Sequence, residues 1–226
     1  MNPVAAAMAR DLRDLASPTT PDVRAVRRRY SKLLAGEPPT RMLSLVKTLL
    51  REQSWAARVV AYELLADHPP SMARLNSRLI DQMARGLSDW GSIDLFGVTV
   101  AGAAWRSGRI SDAHVRQWTR SRDRWLRRLA LVSTVPLNSI ARGGSGDTRR
   151  TLAVCRALVD DRDDMVVKAL SWALRELSKR DPQAVADFVR REEAHLAARV
   201  RREVHAKLET GRKTGMRKRP ASAVRE

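Results

Sequence analysis

The chain has one cysteine, Cys155, in 226 residues, which excludes an internal disulfide and any cysteine-based zinc site. Its apolar helical surroundings make it a small core residue. The four histidines, His68, His114, His195 and His205, lack the spacing of metal ligands and are expected on solvated surfaces, so neither a metal nor another cofactor is expected. Long apolar runs are missing too. No segment approaches the roughly 18 consecutive apolar residues of a membrane-spanning helix. The Val4-Ala-Ala-Ala-Met-Ala9 run is too short for the core of a signal peptide. These absences point to a cytoplasmic protein with no membrane partner, at the nucleoid if the source is bacterial.

Acidic residues are also scarce. Lysine and arginine number 43 against 25 aspartate plus glutamate, a formal net charge of +18. Such an excess implies a polyanionic partner, with nucleic acid first and an anionic membrane surface as the rival. A protein-interaction scaffold has no need of it. With 43% hydrophobic residues the chain can bury a real core. Residues 1–209 are expected to form one domain and 210–226 a basic, disordered tail, where Lys213, Arg217, Lys218 and Arg219 lie among Gly211, Gly215 and Pro220.

Strand-like alternation is absent, whereas apolar residues recur at intervals of three and four almost throughout. The spacing predicts helices over 23–34, 42–50, 55–65, 75–87, 93–105, 118–132, 151–159, 165–177 and 185–200. Breaks fall at Ser17-Pro18, Gly36-Glu-Pro-Pro39, His68-Pro-Pro70, Ser107-Gly108, Val135-Pro136, Gly143-Gly-Ser-Gly146 and Asp181-Pro182. Helices with such short connections stack as antiparallel pairs. The predicted fold is all-α.

Three segments carry chemistry: Trp90-Gly-Ser-Ile-Asp94, Trp125-Leu-Arg-Arg128 and Lys168-Ala-Leu-Ser-Trp172-Ala-Leu-Arg175. Each places a tryptophan and a charged residue three or four positions apart, on one helical face. Indole faces and a carboxylate attract positive charge, while arginine grips phosphate. From Trp90 to Arg128 is 38 positions and from Arg128 to Trp172 is 44. That is near the roughly 40–47-residue period of HEAT and armadillo repeats, which would set all three on the concave wall of a curved α-solenoid.

In these segments the chain resembles the AlkD-like DNA alkylation repair proteins, built of HEAT-like antiparallel helix pairs. The resemblance spans roughly Ser31 to Lys207. Besides the three segments, it takes in Asp181-Pro182 and, more weakly, Pro39-Thr-Arg41 and Gln53-Ser-Trp-Ala56. Gly91, at a position often acidic in the family, and the Gly143-Gly-Ser-Gly146 insertion depart from its pattern. The resemblance implies a monomeric, monofunctional DNA glycosylase acting on duplex DNA with purines made cationic by alkylation at N7 or N3. It places Trp90, Asp94 and Trp172 in the catalytic cleft and a phosphate-gripping role on Arg128. It also implies that the lesion is approached from the backbone side with the base in or near the stack, so that bulky adducts are tolerated. Arg175, Lys168, Trp125 and Arg41 complete the expected DNA-binding set.

The residues fit that chemistry on their own terms. A cationic purine leaves without protonation, so the site has mainly to stabilise the positive charge that develops on the deoxyribose and to orient water. A fixed carboxylate such as Asp94 does both. Other tryptophans have an ordinary reading: Trp55, Trp105 and Trp118 are expected to be core residues, and Trp125 to pack between helices while Arg128 faces out. A non-enzymatic helical protein that binds damaged or branched DNA remains the alternative.

Overall fold

The computed structural model describes residues 3–214 and contains no strand among them. In chain order its helices are α1 Pro3–Arg13, α2 Thr20–Leu34, α3 Pro39–Leu50, α4 Trp55–Ala66, α5 Pro69–Met72, α6 Ser77–Ala84 and α7 Trp90–Phe96, followed by α8 Gly102–Arg106, α9 Asp112–Thr119, α10 Arg124–Val132 and α11 Val135–Asn138, then α12 Thr148–Ala157, α13 Asp164–Leu177, α14 Pro182–Arg191 and α15 Ala198–Thr210. A π-helical turn, Gly97–Ala101, joins α7 to α8. No helix among the described residues is long and apolar enough to cross a membrane.

Polar caps set most of the starts. Ser54, Asn76, Asp89, Ser111, Asp123, Asp147, Asp163 and Asp181 each accept a hydrogen bond from an amide of the following first turn. Asp123 explains why the single helix expected over 118–132 is two. Its carboxylate accepts from the Trp125 amide at 2.9 Å and starts α10 where no proline or glycine marks a break. The helix expected over 185–200 likewise stops at Arg191 and resumes at Ala198. The alanine-rich N-terminal run forms α1, which buries Ala5, Met8, Ala9 and Leu12. The start of the expected tail is described, with Thr210 closing α15 and Lys213 just beyond it, but residues 215–226, including Arg217, Lys218, Arg219 and Pro220, lie outside the described residues.

Five contacts build a central row: α2 packs on α4, α4 on α7, α7 on α10, α10 on α13 and α13 on α15. Alongside it α3 packs on α4, α9 on α10, α12 on α13 and α14 on α15. The central helices start at Thr20, Trp55, Trp90, Arg124, Asp164 and Ala198, intervals of 35, 35, 34, 40 and 34 residues. The spacing expected from Trp90, Arg128 and Trp172 was therefore misaligned. Asp94 and Arg128 are equivalent, each the fifth residue of its helix, whereas Trp90 opens α7 and Trp172 is the ninth residue of α13. Only the longest interval contains the Gly143-Gly-Ser-Gly146 insertion.

Buried apolar side chains form one cluster running from Ala5 to Val204. Trp105, Trp118 and Cys155 lie in it as expected, but Trp55, 40% exposed, does not. His68 is buried, not solvated: its Nδ1 accepts from the Ser71 amide at 3.2 Å and caps α5. His114 is also largely covered, with Nε2 3.0 Å from Asp81. Ion pairs span neighbouring central helices, among them Arg24 with Glu63 at 2.7 Å, Arg58 with Asp89 at 3.2 Å and Arg128 with Asp94 at 2.7 Å. Glycine sets one close approach. A Cβ on Gly97 would lie 2.8 Å from Val132 Cγ1 and 3.3 Å from Leu129 Cδ1, so only glycine lets the α7 end of the π-turn press against α10.

Candidate functional site

Asp89 fixes the start of α7 by accepting from the Ser92 amide at 2.7 Å, and Trp90 and Asp94 then emerge one turn apart on the same side. One helix on, Arg128 emerges from the equivalent turn of α10. Two helices on, Met165, Lys168, Trp172 and Arg175 form a single stripe along α13 at intervals of three and four. All seven line one cavity of about 410 Å³, together with Arg199 from α15 and Lys213 just beyond it. Trp90, Arg128 and Trp172 enter it from the first, fifth and ninth positions of their helices.

Its centre is an ion pair. Arg128 donates from Nε to Asp94 Oδ1 at 2.8 Å and from Nη2 to Asp94 Oδ2 at 2.7 Å, a bidentate fork, while Nη1 donates to the Met165 carbonyl. The side chains are 18% exposed for Asp94 and 6% for Arg128. Burial holds the Asp94 carboxyl above its ordinary range, an effect that the hydrogen bond and charge of Arg128 oppose without cancelling. Trp90, by contrast, is 62% exposed and presents its indole at the mouth. Trp172 is half-buried against the core.

Around this pair the wall is basic. Lys168 reaches Asp164 at 2.6 Å and Arg199 reaches the same carboxylate at 3.4 Å, both side chains staying partly exposed. Deeper in, Arg175 donates to Ser171 Oγ at 3.1 Å and lies 3.7 Å from Glu203, which Lys213 approaches at 3.8 Å.

The structure thus brings Trp90, Asp94, Arg128, Lys168, Trp172 and Arg175 together. Trp125 and Arg41 are not among the cavity's lining residues. Trp125 packs half-buried against the core, with the Arg124 guanidinium 5.0 Å from its ring centre. Arg41 is exposed on α3, paired with Glu37 at 3.4 Å and lining a different, smaller hollow with Pro3 and Leu34. Arg128 does not face out, because Asp94 and the Met165 carbonyl turn it inward. Sequence reasoning missed Met165, Arg199 and the cleft position of Lys213. Arg199 had a signal, since it follows Asp164 by 35 residues, the interval that repeats along the central row. Among the described residues no group of three or more His, Cys, Asp or Glu is placed to hold a metal ion.

A family model described as DNA alkylation repair enzyme matches residues 5–208 of the chain. No curated protein matches it.

Proposed function

The chain belongs to the DNA alkylation repair enzyme family, and from that membership we propose that it is a monofunctional DNA-alkylpurine N-glycosylase, releasing purines made cationic by alkylation at N7 or N3 from duplex DNA. One observation carries the reading: a carboxylate and two indoles share an open cavity walled by lysine and arginine. The proposed scaffold is a curved α-solenoid of HEAT-like helix pairs acting as a monomer, with the cavity on its concave side and no cofactor.

Each part of the cavity has a task. The leaving base already carries its charge, so no acid is needed, and positive charge accumulates on the sugar as the glycosidic bond lengthens. Asp94 lies across from it as the stabilising anion and as the group that orients the attacking water. Trp90 and Trp172 add cation–π attraction of about 0.5–2 kcal/mol each and exclude solvent. The exposed rim suits a lesion approached from its backbone instead of one extruded into a closed pocket.

Phosphate contact passes mainly to Lys168, Arg199 and Lys213, whose side chains are 41%, 38% and 57% exposed. Arg128, spent on Asp94, works chiefly by holding the carboxylate in place. A DNA phosphate that drew Arg128 away would strengthen the field of Asp94 on the sugar. One observation favours the alternative, a non-enzymatic binder of damaged DNA: without DNA, the charge of Asp94 is already matched by Arg128.

The deciding experiment incubates the purified protein with duplex DNA containing N7-methylguanine and measures free base. Release with single-turnover kinetics, and none from a duplex carrying a neutral lesion, is the expected result. Tight binding of the alkylated duplex without release establishes the alternative.

A further inference from the structure

A second cavity, about 340 Å³, is lined by Lys47, Arg51, Gln53, Arg58, Gln82 and Arg85, with no carboxylate in its lining. Two helix connections, those that lead into the central helices α4 and α7, shape it. Arg51 and Gln53 come from the link between α3 and α4, and Arg85 from the link between α6 and α7. Lysine and arginine near helix C-termini have an ordinary use, offsetting the partial negative charge of the last carbonyls. That accounts for Lys47 and Arg51 at the end of α3 and for Arg85 at the end of α6 taken singly. It does not account for their convergence.

The contrast with the rest of the molecule is informative. Across the central row and beside it, arginines meet carboxylates a helix away, as Arg24 meets Glu63, Arg127 meets Asp161, Arg150 meets Asp112 and Arg156 meets Glu192. Around this cavity only Arg58 has such a partner. Lys47, Arg51 and Arg85 have no ion pair among the described residues, and all three are exposed. Like charges gathered without an anion repel one another, and the arrangement gains its anion on binding one. Guanidinium forks and amide N–H groups at one spot match the oxygens of a phosphate.

Arg58 also ties this cavity to the cleft. Its Nη1 donates to Asp89 Oδ2 at 3.2 Å and to Ser92 Oγ at 3.0 Å, on either side of Trp90 in the chain. We propose that the cavity is a phosphate subsite, separate from the cleft, that seats a phosphodiester of the DNA strand one central helix before the lesion. It rests on DNA being the partner, not on the glycosylase chemistry.

The test compares the native protein with Arg51→Gln/Arg85→Gln and with a control, Arg74→Gln/Arg116→Gln, which removes two exposed arginines elsewhere. Fluorescent duplexes with and without an alkylated purine are titrated at several salt concentrations. The cavity variant should lose about tenfold in affinity for both duplexes equally, with a salt dependence shallower by about one to two in log–log slope, while the control changes little. Excision at saturating protein should keep its rate. An unchanged slope, or an equal loss in the control, overturns the proposal. So does a cavity variant that no longer binds inorganic triphosphate yet keeps full duplex affinity, since the ligand is then a free phosphate compound. A protein that binds duplex DNA through these arginines but excises nothing removes the glycosylase reading and leaves the subsite standing.

Discussion

Asp94→Asn, paired with Arg128→Met, tests the centre of the mechanism. Consider a sugar cation about 4 Å from the carboxylate at an effective dielectric near 20: the attraction is about 4 kcal/mol, and an Arg128 charge about 8 Å away takes back about 2. The net, about 2 kcal/mol, corresponds to about 30-fold in rate, and the full term, available once a phosphate neutralises Arg128, to about a thousandfold. Asparagine keeps the size of the side chain and one acceptor but no charge. Single-turnover excision of N7-methylguanine by Asp94→Asn should therefore fall by about 30- to 1,000-fold, with little change in affinity for an unreactive abasic-site mimic. Arg128→Met separates two roles. If it holds Asp94, the double variant should excise little more slowly than Asp94→Asn alone, and the salt dependence of binding should keep its slope. If it grips phosphate, the losses add and the slope becomes shallower by about one. Thermal melting guards the comparison, because a guanidinium only 6% exposed loses its anion in Asp94→Asn. Breaking a buried pair typically costs about 3–5 kcal/mol, reduced here by the acceptor that remains. Excision at the native rate by a folded Asp94→Asn would refute the mechanism.

Because burial raises the Asp94 pKa and the reactive form is ionised, excision should be lost as pH falls through a value above the ordinary carboxylate range, which a single-turnover pH profile measures. The same shift has the opposite sign for stability: the neutral acid is favoured in the fold, so this contribution is present at low pH and lost as pH rises through the raised pKa. Asp112 behaves conversely. Burial alone would raise its pKa, but hydrogen bonds from Trp105 and Arg149 and the charges of Arg150 and Arg149 outweigh it and lower it. Its contribution is present above the unfolded pKa and lost as pH falls through the folded one, so Asp112→Asn should flatten the acid side of a Tm-against-pH curve. Gly97→Ala should destabilise the fold by about 1–3 kcal/mol, since its Cβ would stand 2.8 Å from Val132 Cγ1. Pushing α7 from α10 should also slow excision by disturbing the Asp94–Arg128 fork, and an unchanged Tm and rate would show that Val132 yields freely. Trp172→Ala should slow excision about ten-fold while weakening lesion binding, in line with one lost cation–π contact.

Local chemistry was enough to determine the all-helical character of the chain, most helix spans and the separate helical faces bearing Trp90 with Asp94 and Lys168 with Trp172 and Arg175. These depend on three- and four-residue periodicity and on polar caps, which act over a single turn. The excess of basic charge, likewise written in the residues alone, pointed to a polyanion. Where the sequence misled, the cause was either a polar cap with no breaker residue beside it or a partner that lay a helix away. The break before Asp123 carries neither proline nor glycine. Trp55 has the spacing of a core residue but opens α4 at an exposed edge, and His68 is buried because it caps a helix of four residues. Register along the central row was also out of reach, since a period read from Trp90, Arg128 and Trp172 mixes residues at three different depths of their helices. Only the packing of α7 against α10, made possible by Gly97, turned Arg128 inward onto Asp94. Packing likewise left Lys47, Arg51 and Arg85 lining one cavity with no ion pair among the described residues. Charge, period and capping are properties of a segment; which charges meet is decided by how helices some 34 residues apart in sequence settle against each other.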